Sequence, residues 1–98
     1  MEVVFKIKKQ DLQKVKDTLL RDELISKASI VFKESNTLGI KGNDYYCYIS
    51  GLDDACSKAK ELMKNLAEVV KKKDADKIIS QIKSEEESAM SGFGSIFG

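Results

Sequence analysis

Apolar and polar residues alternate in several short stretches of this 98-residue chain, as they do in strands that bury one face. The period of two is clearest in residues 2–8 and 28–34. A shorter alternation occupies residues 37–41, and the tyrosine-rich stretch 45–50 has the composition of a further strand. The pattern therefore predicts four strands, of which the last three form a meander.

Apolar residues recur with helical spacing in the remaining stretches. Residues 11–24 predict an amphipathic helix with Asp11 as its N-cap, and residues 52–70 predict a second helix with one long apolar face. Asp74 can cap a third helix whose apolar stripe begins at Ile78. Neither Pro nor Gly marks the junction, so a kinked continuation of the second helix is an alternative to a break.

The element order, β-α-β-β-β-α-α, predicts an α+β protein. Because the strand-rich and helix-rich stretches do not strictly alternate, we expect a two-layer sandwich. A mostly antiparallel four-stranded sheet would carry the helices on one face. We expect one domain over residues 1–90, followed by a Gly/Phe-rich C-terminal tail over residues 91–98.

The charge and cysteine content narrow the functional classes. Seventeen basic and sixteen acidic side chains give a net charge of +1, without the basic field that nucleic-acid binding requires. No apolar run approaches the ~20 residues of a membrane-spanning helix. Cys47 and Cys56 are typical of buried free thiols in a cytoplasmic protein, although a disulfide between them is an alternative.

The chain contains no histidine, which removes the nucleophilic triads and the histidine-containing zinc sites. No other set of reactive residues has an organised spacing, so we expect a protein that is not an enzyme and has no cofactor except, as an alternative, Ca²⁺. The ending GFGSIFG lacks the glycine spacing and the following helix of a dinucleotide fingerprint. Residues 74–85 lack the turn glycine of an EF-hand loop.

Two groups of residues in the folded part of the chain are candidate sites. Asp44, Asp53 and Asp54 form a looser calcium site if the turn and the helix start come together, and helix capping is the alternative for the pair. Tyr46 and Tyr48 bind a partner or a second copy of the chain if their sheet face is open. In the alternative interpretation, these rings complete the core.

The C-terminal tail is a third candidate, because Phe93, Ile96 and Phe97 stand in an otherwise small and acidic segment. One interpretation is that the tail folds back over the sheet or the helices. The other is a short linear motif that docks in a groove of a partner protein, with the aromatic rings as anchors.

Three resemblances add expectations. SEEESAM followed by GFGSIFG resembles the C-terminus of archaeal and eukaryotic ribosomal stalk proteins, which recruits translation GTPases. Together, EVVFKIK, YYCYISG, LDDACSKAKEL and GFGSIFG resemble a family of small uncharacterised methanogen proteins with βαβββα order, one described as calcium-binding. That resemblance implies an archaeal, cytoplasmic protein. The element order is also similar to the dimerisation subunit of the KEOPS tRNA-modification complex, although the extra strand and the tail depart from it.

These observations favour a non-catalytic binding or adaptor module that contacts a partner protein through its sheet face or its tail. A small calcium-binding protein is the alternative. A dimerisation subunit similar to that of the KEOPS complex is a more distant one.

Overall fold

The computed structural model describes the backbone of residues 1–97 and the side chains of residues 1–86. The strands are β1 (Glu2–Ile7), β2 (Ser29–Glu34), β3 (Tyr45–Ser50) and β4 (Glu68–Val69). The helices are α1 (Leu12–Arg21), α2 (Asp53–Leu62) and α3 (Lys72–Phe97). Short 3-10 turns occupy Lys9–Asp11, Ile25–Lys27 and Ser35–Leu38. The expected α+β class is confirmed.

The four strands form one antiparallel sheet in the order β2-β3-β1-β4. β1 and β3 lie at the centre, where Val4 faces Tyr48 and Phe5 faces Cys47 across the pair. In both central strands, odd-numbered and even-numbered side chains are buried, so both faces of the sheet must be covered.

Helices α1 and α2 cover the first face of the sheet. Their buried residues contact the odd-numbered side chains of β1 and β3, around the fully buried ring of Phe5. The members of this cluster are Val3, Phe5, Ile7, Val15, Leu19, Ile25, Cys47, Ile49, Cys56, Ala59 and Met63. The sheet and these two helices form the two layers that the sequence predicts.

Helix α3 packs against the opposite face, which differs from the expectation of helices on one face. Ala75, Ile78 and Ile82 are buried with the even-numbered side chains of the central strands. The residues beneath the helix are Val4, Leu38, Tyr46 and Tyr48. The condition of an open tyrosine face is therefore not met, because α3 covers this face with its apolar stripe.

The predicted strand 37–41 is also wrong. Ser35–Leu38 forms a 3-10 turn that ends at Gly39, whose φ of 71° lies in the left-handed region. The Ser35 hydroxyl donates a hydrogen bond to the Gly42 carbonyl at 2.7 Å, and this bond closes the loop. Because Leu38 turns inward from the loop to join the cluster under α3, the alternation in this stretch does not reflect a strand.

The second helix is shorter than predicted. It ends at Leu62, and the N–H groups of Leu66 and Ala67 both donate to the carbonyl of Met63, at 3.0 and 2.9 Å. The chain then becomes extended and pairs with β1, as the bond from the Val70 N–H to the Val4 carbonyl shows (2.9 Å). β4 therefore replaces the last turns of the predicted helix, and the observed order is β-α-β-β-α-β-α.

The junction predicted near residue 74 lies at Lys72, where α3 begins. The bounds of α3 include residues 91–97, while the side chains beyond residue 86 lie outside the described ones. The division into residues 1–90 and 91–98 stays a prediction. Within the described part of the chain, no helix has the length and apolar composition needed to cross a bilayer.

Candidate functional site

An open groove of about 620 Å³ lies where β4, the start of α3 and the loop after β2 meet. Its apolar lining is Leu38, Ile40, Tyr46, Val69, Val70 and Ile78. Its polar lining is Lys6, Glu68, Lys71, Asp74, Lys77 and Gln81. We call this surface the lysine groove. A concave surface with an apolar floor and a few charged groups is the usual form of a binding site.

The groove exists because β4 extends the sheet by one short strand. Val70 pairs with Val4 and faces α3, whereas Val69 pairs with Phe5, so its 47% exposed side chain lies at the sheet edge towards the other face. The first two turns of α3 rise beside them, with Ile78 buried and Lys77 exposed. The half-buried side chains of Ile40 and Val70 give the groove its partly open apolar surface.

Lysines exceed carboxylates in the groove by three to two. Lys6 Nζ lies 3.6 Å from Asp44 Oδ2, so its charge is already balanced. Among the described residues, Lys71 and Lys77 form no ion pair within 4.0 Å. These two lysines therefore offer positive charge to a ligand.

A second, smaller depression of about 360 Å³ shares Lys6 and Glu68 with the groove. Its lining also includes Lys8, Lys64 and Asp11. The shared residues place the two depressions next to each other.

The three aspartates predicted to bind calcium do not come together. Asp44 precedes β3 and Asp53 follows it, so at about 3.3 Å per residue the strand separates them by roughly 20 Å. Asp44 pairs with Lys6, and Asp53 Oδ1 lies 3.5 Å from the N-terminal ammonium of Met1. Within the described residues there is no group of three potential metal-ligating side chains. In this structure the three aspartates therefore do not form one shared site.

The alternative for the aspartate pair was helix capping together with dipole complementarity, and only the second part agrees with the structure. α2 has Leu52 at its N-cap position, and no side-chain hydrogen bond caps the helix. Asp53 and Asp54 do lie in its first turn, where the helix dipole favours negative charge. Similarly, Asp11 stands at the N-cap position of α1 without a capping side-chain bond.

The two candidate tyrosines are mostly buried, at 6% exposure for Tyr46 and 7% for Tyr48. Tyr46 lines the lysine groove, while the Tyr48 hydroxyl donates a hydrogen bond to Glu2 Oε2. Desolvation, followed by the bond to Glu2, raises the pKa of Tyr48. In this structure the groove is therefore the place where Tyr46 can contact a ligand.

The two cysteines are free and buried, as the sequence predicted. Burial raises the pKa of Cys47 to about 12. Desolvation also raises the pKa of Cys56, whose thiol donates to the Met1 carbonyl at 3.4 Å. Because a thiol reacts as its thiolate, neither residue has the properties of a catalytic nucleophile at neutral pH.

The third predicted site consists of Phe93, Ile96 and Phe97, whose side chains lie outside the described residues. The sequence pattern does not predict the groove, because it predicts a helix through residues 66–70, where the structure has β4. The adjacent β-branched residues Val69 and Val70 were the available signal, since this pair favours a strand over a helix.

No family model matches the chain, and no curated protein or solved structure shows significant similarity to it.

Proposed function

We propose that this protein is a cytoplasmic, non-catalytic binding module that holds a segment of a partner protein in the lysine groove. The segment would be apolar with acidic residues beside its apolar ones. Its apolar side chains would contact Ile40, Val70 and Ile78, and its carboxylates would pair with Lys71 and Lys77.

The charge arrangement of the groove carries this proposal. Lys71 is followed by the exposed residues Lys72 and Lys73, so positive charge continues along the rim beyond the groove. The half-buried side chains of Ile40 and Val70 line the groove beside this rim. A segment that carries both apolar and acidic side chains satisfies both surfaces at once, whereas a uniformly polar ligand would leave Ile40 and Val70 in contact with water.

The sheet face and the tail contribute differently to this proposal. Since α3 covers the centre of the tyrosine face, the groove is what remains accessible there, and Tyr46 is its tyrosine. A docking role for Phe93, Ile96 and Phe97 remains a second route by which the module could hold a partner. The buried free thiols support a reducing compartment such as the cytoplasm.

Site-specific photo-cross-linking tests the groove. A photoreactive residue is placed at Gln81, an exposed lining residue of the groove, in the full-length chain, and at Leu20 in a control chain. Leu20 is 57% exposed on α1, on the opposite side of the sheet. After irradiation in lysate of the source cells, mass spectrometry identifies the attached peptide. We expect an acidic and apolar partner segment at Gln81, its capture reduced by Lys71→Glu with Lys77→Glu, and no such segment at Leu20.

Equal labelling at Gln81 and Leu20, or capture at Gln81 that is unaffected by the lysine substitutions, would contradict the groove proposal. Deleting residues 91–98 then separates the two routes. Capture at Gln81 that survives the deletion supports the groove as the binding site. If the deletion abolishes capture, the tail rather than the groove holds the partner.

A further inference from the structure

The sheet ends in β2, a six-residue strand with a neighbour on one side only. The opposite edge is formed by β4, which has two residues. A long edge strand presents a row of unpaired N–H and C=O groups to any strand that can lie beside it. β2 therefore offers more unpaired backbone groups to an added strand than β4 does.

The register identifies which backbone groups of β2 face outward. The Ser35 N–H donates to the Asp44 carbonyl at 2.9 Å, so alternate residues back along the strand, Lys33 and Val31, also bond to β3. The N–H and C=O groups of Ile30 and Phe32 then point away from the sheet, as does the N–H of Glu34. Within the described residues, the one bond to this row is from the Thr37 hydroxyl to the Glu34 carbonyl, at 2.7 Å.

The side chains on both faces of this edge are apolar and half-buried. Ile30 and Phe32 pack against the core beneath α1 and α2, and Lys16 Nζ lies 5.3 Å from the centre of the Phe32 ring. Val31 packs on the other face, against the cluster beneath α3. A strand placed beside β2 would therefore extend both cores.

The charges at the two ends of β2 indicate which strand would fit. Lys27 is exposed just before the strand and Glu34 is exposed at its end, and neither forms an ion pair among the described residues. Lys33, by contrast, is already paired with Glu85 at 3.3 Å. A second β2 laid antiparallel would bring Lys27 near Glu34 at both ends, whereas a parallel one would align like charges.

We propose that β2 is the interface of a homodimer, in which two copies of the chain join their sheets antiparallel across a two-fold axis at Val31. In this register Ile30 faces Phe32 of the second copy, and the two Val31 side chains face each other. A register centred on Phe32 would place Glu34 opposite Ile30. One centred on Lys33 would place two lysines opposite each other.

The dimer depends on concentration. One strand pair with its flanking side chains is smaller than a standard interface of about 800 Å² per partner. We therefore expect dissociation in the micromolar to millimolar range, which sedimentation equilibrium covers when the full chain is studied from about 10 µM to about 1 mM.

Amide hydrogen exchange by NMR at the two ends of this concentration range locates the interface. We expect the Ile30 and Phe32 amides to exchange at least about tenfold more slowly in the concentrated sample, because they become bonded only in the dimer. The Val31 and Lys33 amides serve as internal controls, since their bonds to β3 exist in both states. A chain that stays monomeric to about 1 mM, or a dimer that leaves Ile30 and Phe32 unchanged, overturns the proposal.

Exchanging the charges of Lys27 and Glu34 tests whether the partner is a second copy of the chain and whether the two strands run antiparallel. Lys27→Glu and Glu34→Lys should each weaken the dimer by about tenfold, because each puts like charges together at both ends of the strand pair. The double variant restores opposite charges and should return the dissociation constant to within about threefold of the original value. A double variant no better than the two single ones overturns the antiparallel pairing. Both residues are exposed, so folding is preserved in all three variants.

Discussion

Asp22 and Lys58 connect the end of α1 to α2, with 2.7 Å between Asp22 Oδ2 and Lys58 Nζ. The other carboxylate oxygen of Asp22 accepts hydrogen bonds from the N–H groups of Leu24 and Ile25, both at 3.0 Å. One side chain therefore fixes the turn after α1 and holds the two helices of the first layer together.

This arrangement predicts a loss of stability in acid. The hydrogen bond from Lys58, and then that from Ile25, hold the pKa of Asp22 below its ordinary value of 3.8. Because the pKa of Asp22 is lower in the folded protein than in the unfolded chain, its carboxylate stabilises the fold at every pH above 3.8. This contribution is lost as the pH falls through the pKa that Asp22 has in the folded protein. Thermal unfolding from about pH 5 down to about pH 2 should show a smaller fall in Tm for Asp22→Asn than for the unchanged chain.

Glu61→Gln is the matched control, because Glu61 is exposed on α2 and forms no ion pair among the described residues. It should keep the acid dependence of the unchanged chain. Equal acid dependence in the Asp22→Asn and original chains would show that this carboxylate is not held in its charged form.

A second prediction concerns the close approach of Gly51 and Ala28. A Cβ atom on Gly51 would lie 2.9 Å from the Cβ of Ala28, which is closer than real contacts allow. Gly51→Ala should therefore lower the free energy of unfolding by about 1–3 kcal/mol, measured by urea denaturation. Ala28→Gly in the same chain removes the clashing methyl, so the double variant should be more stable than Gly51→Ala alone. A double variant less stable than the single one would show that the contact is not the cause.

The first three observed strands and α1 could be predicted, because their alternation and helical spacing match the faces that they bury. The loop 35–42 could not, since Leu38 enters the core from a 3-10 turn whose closing bond runs from the Ser35 hydroxyl to the Gly42 carbonyl. A hydrogen bond between two residues seven positions apart leaves no periodic pattern in the sequence. β4 is too short to show one.

A pattern in the sequence indicates the position of α3. β1 contains Val3, Val4 and Phe5 in a row, and β3 contains apolar or aromatic residues at five successive positions. A strand that has apolar side chains at successive positions, rather than at alternate ones, is buried on both faces. This pattern indicates a helix on each side of the sheet. The lysine groove follows from that arrangement, since it forms where α3 leaves the β4 edge uncovered.

The cover provided by α3 leads to a third prediction. Ile82 is fully buried among the side chains of the second face, whereas its neighbour Gln81 is exposed. Ile82→Ala should cost about 2–5 kcal/mol of stability in urea denaturation, because it leaves a cavity between helix and sheet. Gln81→Ala is the matched control and should change stability by less than about 0.5 kcal/mol. Similar small effects from both substitutions would contradict the placement of α3.

The thiol of Cys47 gives a fourth prediction, at alkaline pH. Burial raises its pKa from 9.0 to about 12, so the folded protein keeps the proton over a range in which the unfolded chain loses it. The stabilising contribution is complete below pH 9 and decreases as the pH rises towards 12, by up to about 1.4 kcal/mol per pH unit. Cys47→Ala removes this dependence, although it also costs a constant amount for the lost side chain.

The measurement is the slope of the unfolding free energy between about pH 9 and about pH 11, for the unchanged chain and for Cys47→Ala. Comparing slopes cancels most of the contribution of the other groups that titrate in this range, including Tyr48, whose pKa is also raised. The slope should be less steep in the variant. In the folded protein at neutral pH, Cys47 should also resist a disulfide-exchange reagent until urea unfolds the chain, because no thiolate is accessible. Parallel slopes, or rapid labelling of Cys47 in the native state, would mean that this strand is not buried beneath α1 and α2.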